Sequence, residues 1–168
     1  MKTLHLLRHA KSSWSASGVA DHDRDLNDRG RRDAPRMGAA LAEICPAQTA
    51  FVSSALRAQR TLQGICDGWP ALRAMEHVTV PELYTFDARE VMAWLRVVDD
   101  SAERCLIIGH NPALTDLCNE ICGRPALDNL PTAGYLELSL QIDSWGDLGA
   151  DVGDITRWLF PRDLPSSD

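Results

Sequence analysis

The sequence predicts an α/β fold: a single three-layer domain with a mainly parallel central sheet flanked by helices, its late strands partly antiparallel. Short apolar runs alternate with segments of helical periodicity through most of the chain, the order expected of successive strand-helix units. Three of these runs, residues 3–7, 49–52 and 105–108, are apolar almost throughout, as strands covered on both faces must be. After Pro131 the apolar period changes to two, which marks antiparallel strands.

Each element follows from its residues. The first strand, residues 3–7, ends at Arg8-His9. Residues 21–36 then hold five Asp (21, 23, 25, 28, 33) and five Arg (24, 29, 31, 32, 36), a run that sums to zero and reads as a solvated loop and helix face. Ala34, Met37, Leu41 and Ile44 draw the apolar stripe of a first helix. Strand 49–52 leads into a helix marked by Ala58, Leu62, Ile65, Cys66 and Trp69, and a third helix carries Val91, Leu95 and Val98. Strand 105–108 precedes a helix with Leu114, Leu117, Cys118 and Ile121. Leu136, Leu138 and Leu140 alternate with Tyr135, Glu137 and Ser139, and residues 155–160 supply a last strand. The five Trp, at 14, 69, 94, 145 and 158, read as core and edge packing. Residues 141–168 carry six Asp against Arg157 and Arg162, so the domain is expected over 1–160, with a poorly ordered tail over 161–168.

Composition narrows the function. With 168 residues, 45% of them hydrophobic, the chain can bury a core without disulfides or metal. The net charge of −7 disfavours a nucleic-acid partner. No apolar run approaches a membrane span, and the N-terminus lacks the features of a signal peptide, so no membrane is expected and the location expected is cytoplasmic. Five cysteines without a C-x-x-C pair suit a reducing compartment, and Cys118 and Cys122, four apart on a helix, read as apolar packing rather than a metal clip.

Chemistry concentrates at three strand ends. Arg8-His9 closes the first strand, where an open α/β sheet faces its ligand crevice. At the second, Ser54 is a candidate N-cap and Arg57 falls in the first helical turn, where unpaired N–H groups and a guanidinium fork attract an anion. At the third, Gly109-His110-Asn111-Pro112 places His110 before a helix, with Asn111 suited to the N-cap and Pro112 to the first helical position. Two histidines and two arginines at three strand ends point to one convergent anion site. Arg60, His5, His22 and His77 lack this context, and the three histidines read as structural or solvated.

These motifs together resemble the histidine phosphatase (phosphoglycerate-mutase-like) superfamily: Arg8-His9, the S-x-x-x-R-A-x-x-T pattern of residues 53–61, Gly109-His110-Asn111-Pro112, and Asp25-Leu26-Asn27-Asp28-Arg29-Gly30 as its L-x-x-x-G segment. The compact length and the wording R-H-A-K-S-S-W are similar to the small SixA-like phosphohistidine phosphatases. The resemblance implies that His9 is the nucleophile, becoming a transient phosphohistidine, that Arg8, Arg57 and His110 hold the phosphoryl oxygens, and that no metal or other cofactor is needed. Ala10 stands where the family usually has glycine, and Ser15 where mutase-type members often have Asn, which counts against mutase activity. Glu82 lies where larger relatives place a general acid, with Asp21, Asp23 and Asp25 as other candidates. The expected substrate is phosphohistidine on a protein. The alternatives are a small phosphomonoester, or a catalytically silent phosphate- or phosphoprotein-binding module.

Overall fold

A computed structural model describes residues 1–14 and 17–166; Ser15 lies outside the described residues. Among the described residues, six strands form one sheet: β1 (Lys2–Arg8), β2 (Ala50–Ser53), β3 (His77–Val80), β4 (Arg104–Gly109), β5 (Tyr135–Leu140) and β6 (Gly153–Leu159). Their spatial order is β3-β2-β4-β1-β5-β6. The first four run parallel to one another, and β5 and β6 are antiparallel to their neighbours. Five helices cover the sheet: α1 (Asp28–Ala42), α2 (Leu56–Gly68), α3 (Pro70–Arg73), α4 (Ala88–Leu95) and α5 (Ala113–Cys122).

Alternation along the central strands explains the three layers. Leu4 and Leu6 of β1, with Cys105 and Ile107 of β4, enter a core with α4 and α5, whereas Leu7, Leu106 and Ile108 enter a second core with α1 and α2. β1 and β4 are therefore apolar at consecutive positions because both faces are covered. Tyr135, grouped by its period with the outward-facing Glu137 and Ser139, is 1% exposed, since its end of β5 lies in the α1/α2 core.

Some elements depart from expectation. β3 was not foreseen: it is four residues long at the sheet edge, and only Val80 of its side chains is fully buried, so periodicity has almost nothing to register. The stripe through Val98 overruns α4, which ends at Leu95. The Val97 and Val98 N–H groups bond to Trp94 and Leu95, so a tighter turn prolongs the apolar face. Likewise α1 stops at Ala42, short of Ile44, and Trp69 sits at the junction of α2 and α3. Trp69 and Trp145 are buried, but Trp14 and Trp158 are exposed. Within the segment read as a tail, Pro161–Asp163 forms a 3-10 turn against α1, and Arg36 donates to the Pro165 carbonyl at 2.7 Å.

Asn27 caps α1 by accepting the Gly30 N–H at 2.9 Å. Gly30 is required here for space, because a Cβ on it would lie 2.2 Å from the Lys11 carbonyl oxygen. That carbonyl also accepts the Asn27 N–H, so the chain leaving β1 lies directly on the first turn of α1. Gly30→Ala is expected to push this segment away and to lower stability by about 1–3 kcal/mol, the usual cost of overpacking. Urea unfolding of the variant checks it, and an unchanged midpoint would contradict the tight approach.

Candidate active site

β4 lies between β1 and β2, so the three strand ends singled out in the sequence are neighbours: Arg8 pairs with Gly109, and Val52 with Ile108. The segment after β1 is fixed by its backbone. The His9 N–H donates to the Gly109 carbonyl and the His9 carbonyl accepts from Ala133, both at 3.0 Å. The Ala10 N–H donates to Thr61 Oγ1 at 2.9 Å, and the Thr61 hydroxyl donates to the Arg57 carbonyl at 2.7 Å. Thr61, the last residue of the S-x-x-x-R-A-x-x-T pattern, thus ties the His9 segment to the helix that carries Arg57.

The His9 ring is 6% exposed, with Nδ1 2.7 Å from the Ala10 carbonyl oxygen. A carbonyl can only accept, so Nδ1 carries the proton and Nε2 the lone pair. Nε2 lies 3.4 Å from Arg57 Nε, consistent with that assignment. Burial, reinforced by the charges of Arg57, Arg8 and Arg24, lowers the His9 pKa to about 3, although the bond to Ala10 opposes the shift. The imidazole is therefore neutral near pH 7, as a nucleophile must be.

His110 lies beside it, ring centroids 5.2 Å apart. Its Nε2 is 2.7 Å from Ser53 Oγ, which also accepts the Ala55 N–H at 3.2 Å. Burial first, then the neighbouring His9 and Arg57, lowers its pKa to about 3. Its Nδ1 is buried without a hydrogen-bond partner among the described residues, and so is Arg8 Nε. Arg8 also donates from Nη1 to the Leu130 carbonyl at 3.0 Å. Leu130 is held in turn by Asn111, whose Nδ2 donates to the same carbonyl at 2.9 Å.

Arg57 is 1% exposed, a charge that has to be compensated. Asp21 supplies the compensation: its main-chain carbonyl accepts from Nη1 at 2.7 Å and its carboxylate from Nη2 at 3.0 Å. With the contact to His9, three of the five guanidinium N–H groups are taken up among the described residues. The Asp21 carboxylate also accepts from the Tyr84 hydroxyl at 2.6 Å and from Arg24 Nε at 3.1 Å. Burial alone would raise the Asp21 pKa, but the hydrogen bonds from Tyr84 and Arg57 and the Arg57 charge hold it at about 2. The charged run read as a solvated face therefore sends its first member into the site.

Arg8, His9, Arg57 and His110 are brought together; Glu82 is not. Glu82 is exposed in the 3-10 turn Pro81–Leu83 and makes no hydrogen bond or ion pair among the described residues. Asp23 faces His22, and Asp25 lies near Arg31 and Arg60. Two caps also shift. Ser53, rather than Ser54, takes an N–H at the start of α2, while Ser54 bonds to His22. Residue 112 occupies the cap position of α5, and Asn111 reaches past it to accept from Thr115 N and Oγ1 at 3.1 and 3.0 Å. His5 pairs with the Tyr135 hydroxyl at 2.6 Å, and His77 lies 2.9 Å from the Leu72 carbonyl. Cys118 and Cys122 are buried in the core, and no group of three or more His, Cys, Asp or Glu among the described residues could hold a metal ion.

Residues 4–87 match the model of the histidine phosphatase superfamily (branch 1). The chain belongs to this superfamily. An uncharacterized protein of Mycobacterium tuberculosis is 31% identical, the match covering 93% of this chain and 100% of the relative. The fold is similar to that of an Agrobacterium tumefaciens protein assigned as phosphohistidine phosphatase SixA (TM-score 0.79, 23% identity, 95% and 98% of the two chains). It is also similar to the protein histidine phosphatase SixA complexed with tungstate (TM-score 0.75, 22% identity, 96% and 98%). A more distant likeness is to mycobacterial glucosyl-3-phosphoglycerate phosphatase (TM-score 0.68, 14% identity, 94% and 99%). Membership of this superfamily supports a phosphatase that acts through a histidine.

Burial of neutral histidines has a consequence for stability. The pKa values of His5, His9 and His110 are lowered from 6.5 to about 4, 3 and 3. Below pH 6.5 the unfolded chain binds protons that the folded chain refuses, so their contribution is fully present above pH 6.5 and is lost as pH falls toward the folded values. Each site can contribute a slope of up to about 1.4 kcal/mol per pH unit. Urea unfolding between pH 7 and 4.5 is expected to show declining stability, with a shallower decline in His9→Ala. A flat profile would contradict the burial of these three neutral histidines.

Proposed function

We propose that this chain hydrolyses phosphohistidine carried on proteins, through a phosphohistidine formed on His9. The observation that carries the reading is the state of His9: Nδ1 bonded to the Ala10 carbonyl, the Nε2 lone pair beside Arg57, and the ring neutral. Nε2 attacks phosphorus as the substrate P–N bond breaks, and the electron pair passes to the departing imidazole, which takes a proton from water. Water then attacks the phosphorus on His9, its proton passing to the hydroxide left by the first step, and the P–N bond breaks to release inorganic phosphate and return the lone pair to Nε2. Arg8, the remaining N–H groups of Arg57 and His110 Nδ1–H hold the equatorial oxygens, where charge is concentrated in the transition state.

The acid candidates support this substrate class over an alkyl phosphoester. Expelling an alkoxide requires a proton in the transition state, whereas imidazole leaves more easily. Glu82 is exposed and unconnected to the cluster, and Asp21 is an ionised partner of Arg57 with a pKa near 2, unfit to donate a proton at neutral pH. We also place the working protein in the cytoplasm. No described helix is long and apolar enough to cross a membrane.

Phosphate release from a phosphohistidine-bearing phosphocarrier and from a panel of phosphoesters tests the reading. The phosphocarrier is expected to be turned over in the presence of a chelator and alkyl esters to be poor substrates. Glu82→Gln is expected to change neither rate by more than about twofold, since a side chain outside the site contributes little. Arg57→Ala should lower kcat by about 10²–10³-fold, the loss typical of one oxyanion donor, and Arg57→Lys should restore only part. Rapid alkyl-ester hydrolysis that collapses in Glu82→Gln, without turnover of phosphohistidine, would select the small-molecule phosphatase instead. Tight phosphate binding without turnover of any substrate would select the silent binding module.

A further inference from the structure

Two aromatic rings beside the site have no role in holding phosphate. Tyr84 and Phe86 follow the 3-10 turn at Pro81–Leu83 and both meet His110 edge-on, with ring centroids 5.5 and 5.8 Å away and interplanar angles of 74° and 68°. They also meet each other, 5.9 Å apart at 72°, and Tyr84 meets His22 edge-on at 4.8 Å. Tyr84 is anchored by its hydroxyl on Asp21. Phe86 has no such tether and is 48% exposed, although its ring lies against a histidine that is 1% exposed.

An apolar ring gains nothing from a phosphoryl oxygen. It can gain from the group to which the phosphoryl is attached. We propose that Phe86, backed by Tyr84, is a specificity-determining residue that packs against a planar aromatic leaving group, so that the site selects imidazole or phenol over alkyl alcohols. The inference rests on the phosphatase reading of the same site and adds the chemistry of the leaving group to it. Aromatic pairs are favourable at centroid separations of 4.5–7 Å in stacked or edge-to-face arrangements, and a protonated imidazole adds a cation-π attraction. A polyol against the same ring would lose hydration without receiving hydrogen bonds in return.

Binding and turnover test this separately. Calorimetric Kd values for phenylphosphonate, methylphosphonate and inorganic phosphate are measured on the intact protein and on Phe86→Ala and Phe86→Trp. Phe86→Ala is expected to weaken phenylphosphonate by about 3–10-fold, the range of a lost aromatic contact, and to leave the other two within twofold; Phe86→Trp should retain phenylphosphonate binding. Equal weakening of all three ligands would mean that Phe86 acts only by supporting His110 and would overturn the proposal, as would an unchanged phenylphosphonate Kd. These readouts need no turnover, so a protein that discriminates the phosphonates yet hydrolyses nothing would overturn the enzymatic reading, and with it the leaving-group role, while upholding only the aromatic contact made by Phe86. Failure to bind any of the three would overturn both. Relative kcat/KM on phosphohistidine and phosphotyrosine peptides of one sequence, with and without Phe86→Ala, then identifies which ring the wall receives: the larger loss marks the preferred leaving group.

Discussion

Insertion of β4 between β1 and β2 is the constraint on which the site depends. The chain makes β1, crosses to β2, and returns only after β3 to fill the gap, so three segments separated by about fifty residues each end side by side. Each strand end then contributes what its local sequence encodes: a cation and an imidazole from β1, a helix-borne guanidinium from β2, a second imidazole from β4. The central parallel strands need apolar side chains on both faces, and of the two helices that supply the covering on one side, α1 and α2, the second brings Arg57 and Thr61 into place.

Burying two histidines and an arginine together is costly, and the structure meets that cost by different means for each. Arg57 stays charged because the carboxylate and carbonyl of Asp21 face it, while the histidines lose their charge. Neutral imidazoles beside fixed guanidinium groups form an environment that favours an incoming anion more than the folded protein's own protons. Asp21 limits this effect. It holds Arg57 in place with a bond to Tyr84 behind it, and its negative charge stands close to where the proposed mechanism puts the phosphoryl oxygens.

The polar centre was legible in the sequence because each member lies next to its own strand end, where local pattern fixes position: Arg8 and His9 after an apolar run, Arg57 one turn into a helix, His110 before the next. What was not legible depends on contacts between distant segments. Asp21 reaches Arg57 across 36 residues and Tyr84 reaches Asp21 across 63, and nothing local to either distinguishes it from a surface residue. Glu82 illustrates the converse: its position along the chain resembled that of an acid, but the 3-10 turn leaves it exposed and sends the rings two and four residues later toward His110 instead. β3 escaped notice because an edge strand of four residues buries too little for a pattern.

The identity of the phosphorylated atom tests the account most directly. Protein quenched during turnover of a phosphohistidine-bearing phosphocarrier can be digested and the phosphopeptides mapped by mass spectrometry. The geometry requires an acid-labile, base-stable phosphate on Nε2 of His9, since Nδ1 is committed to the Ala10 carbonyl. Phosphate on Nδ1, on His110 or on any other residue, or its absence from His9 while turnover proceeds, would contradict the nucleophile assigned here.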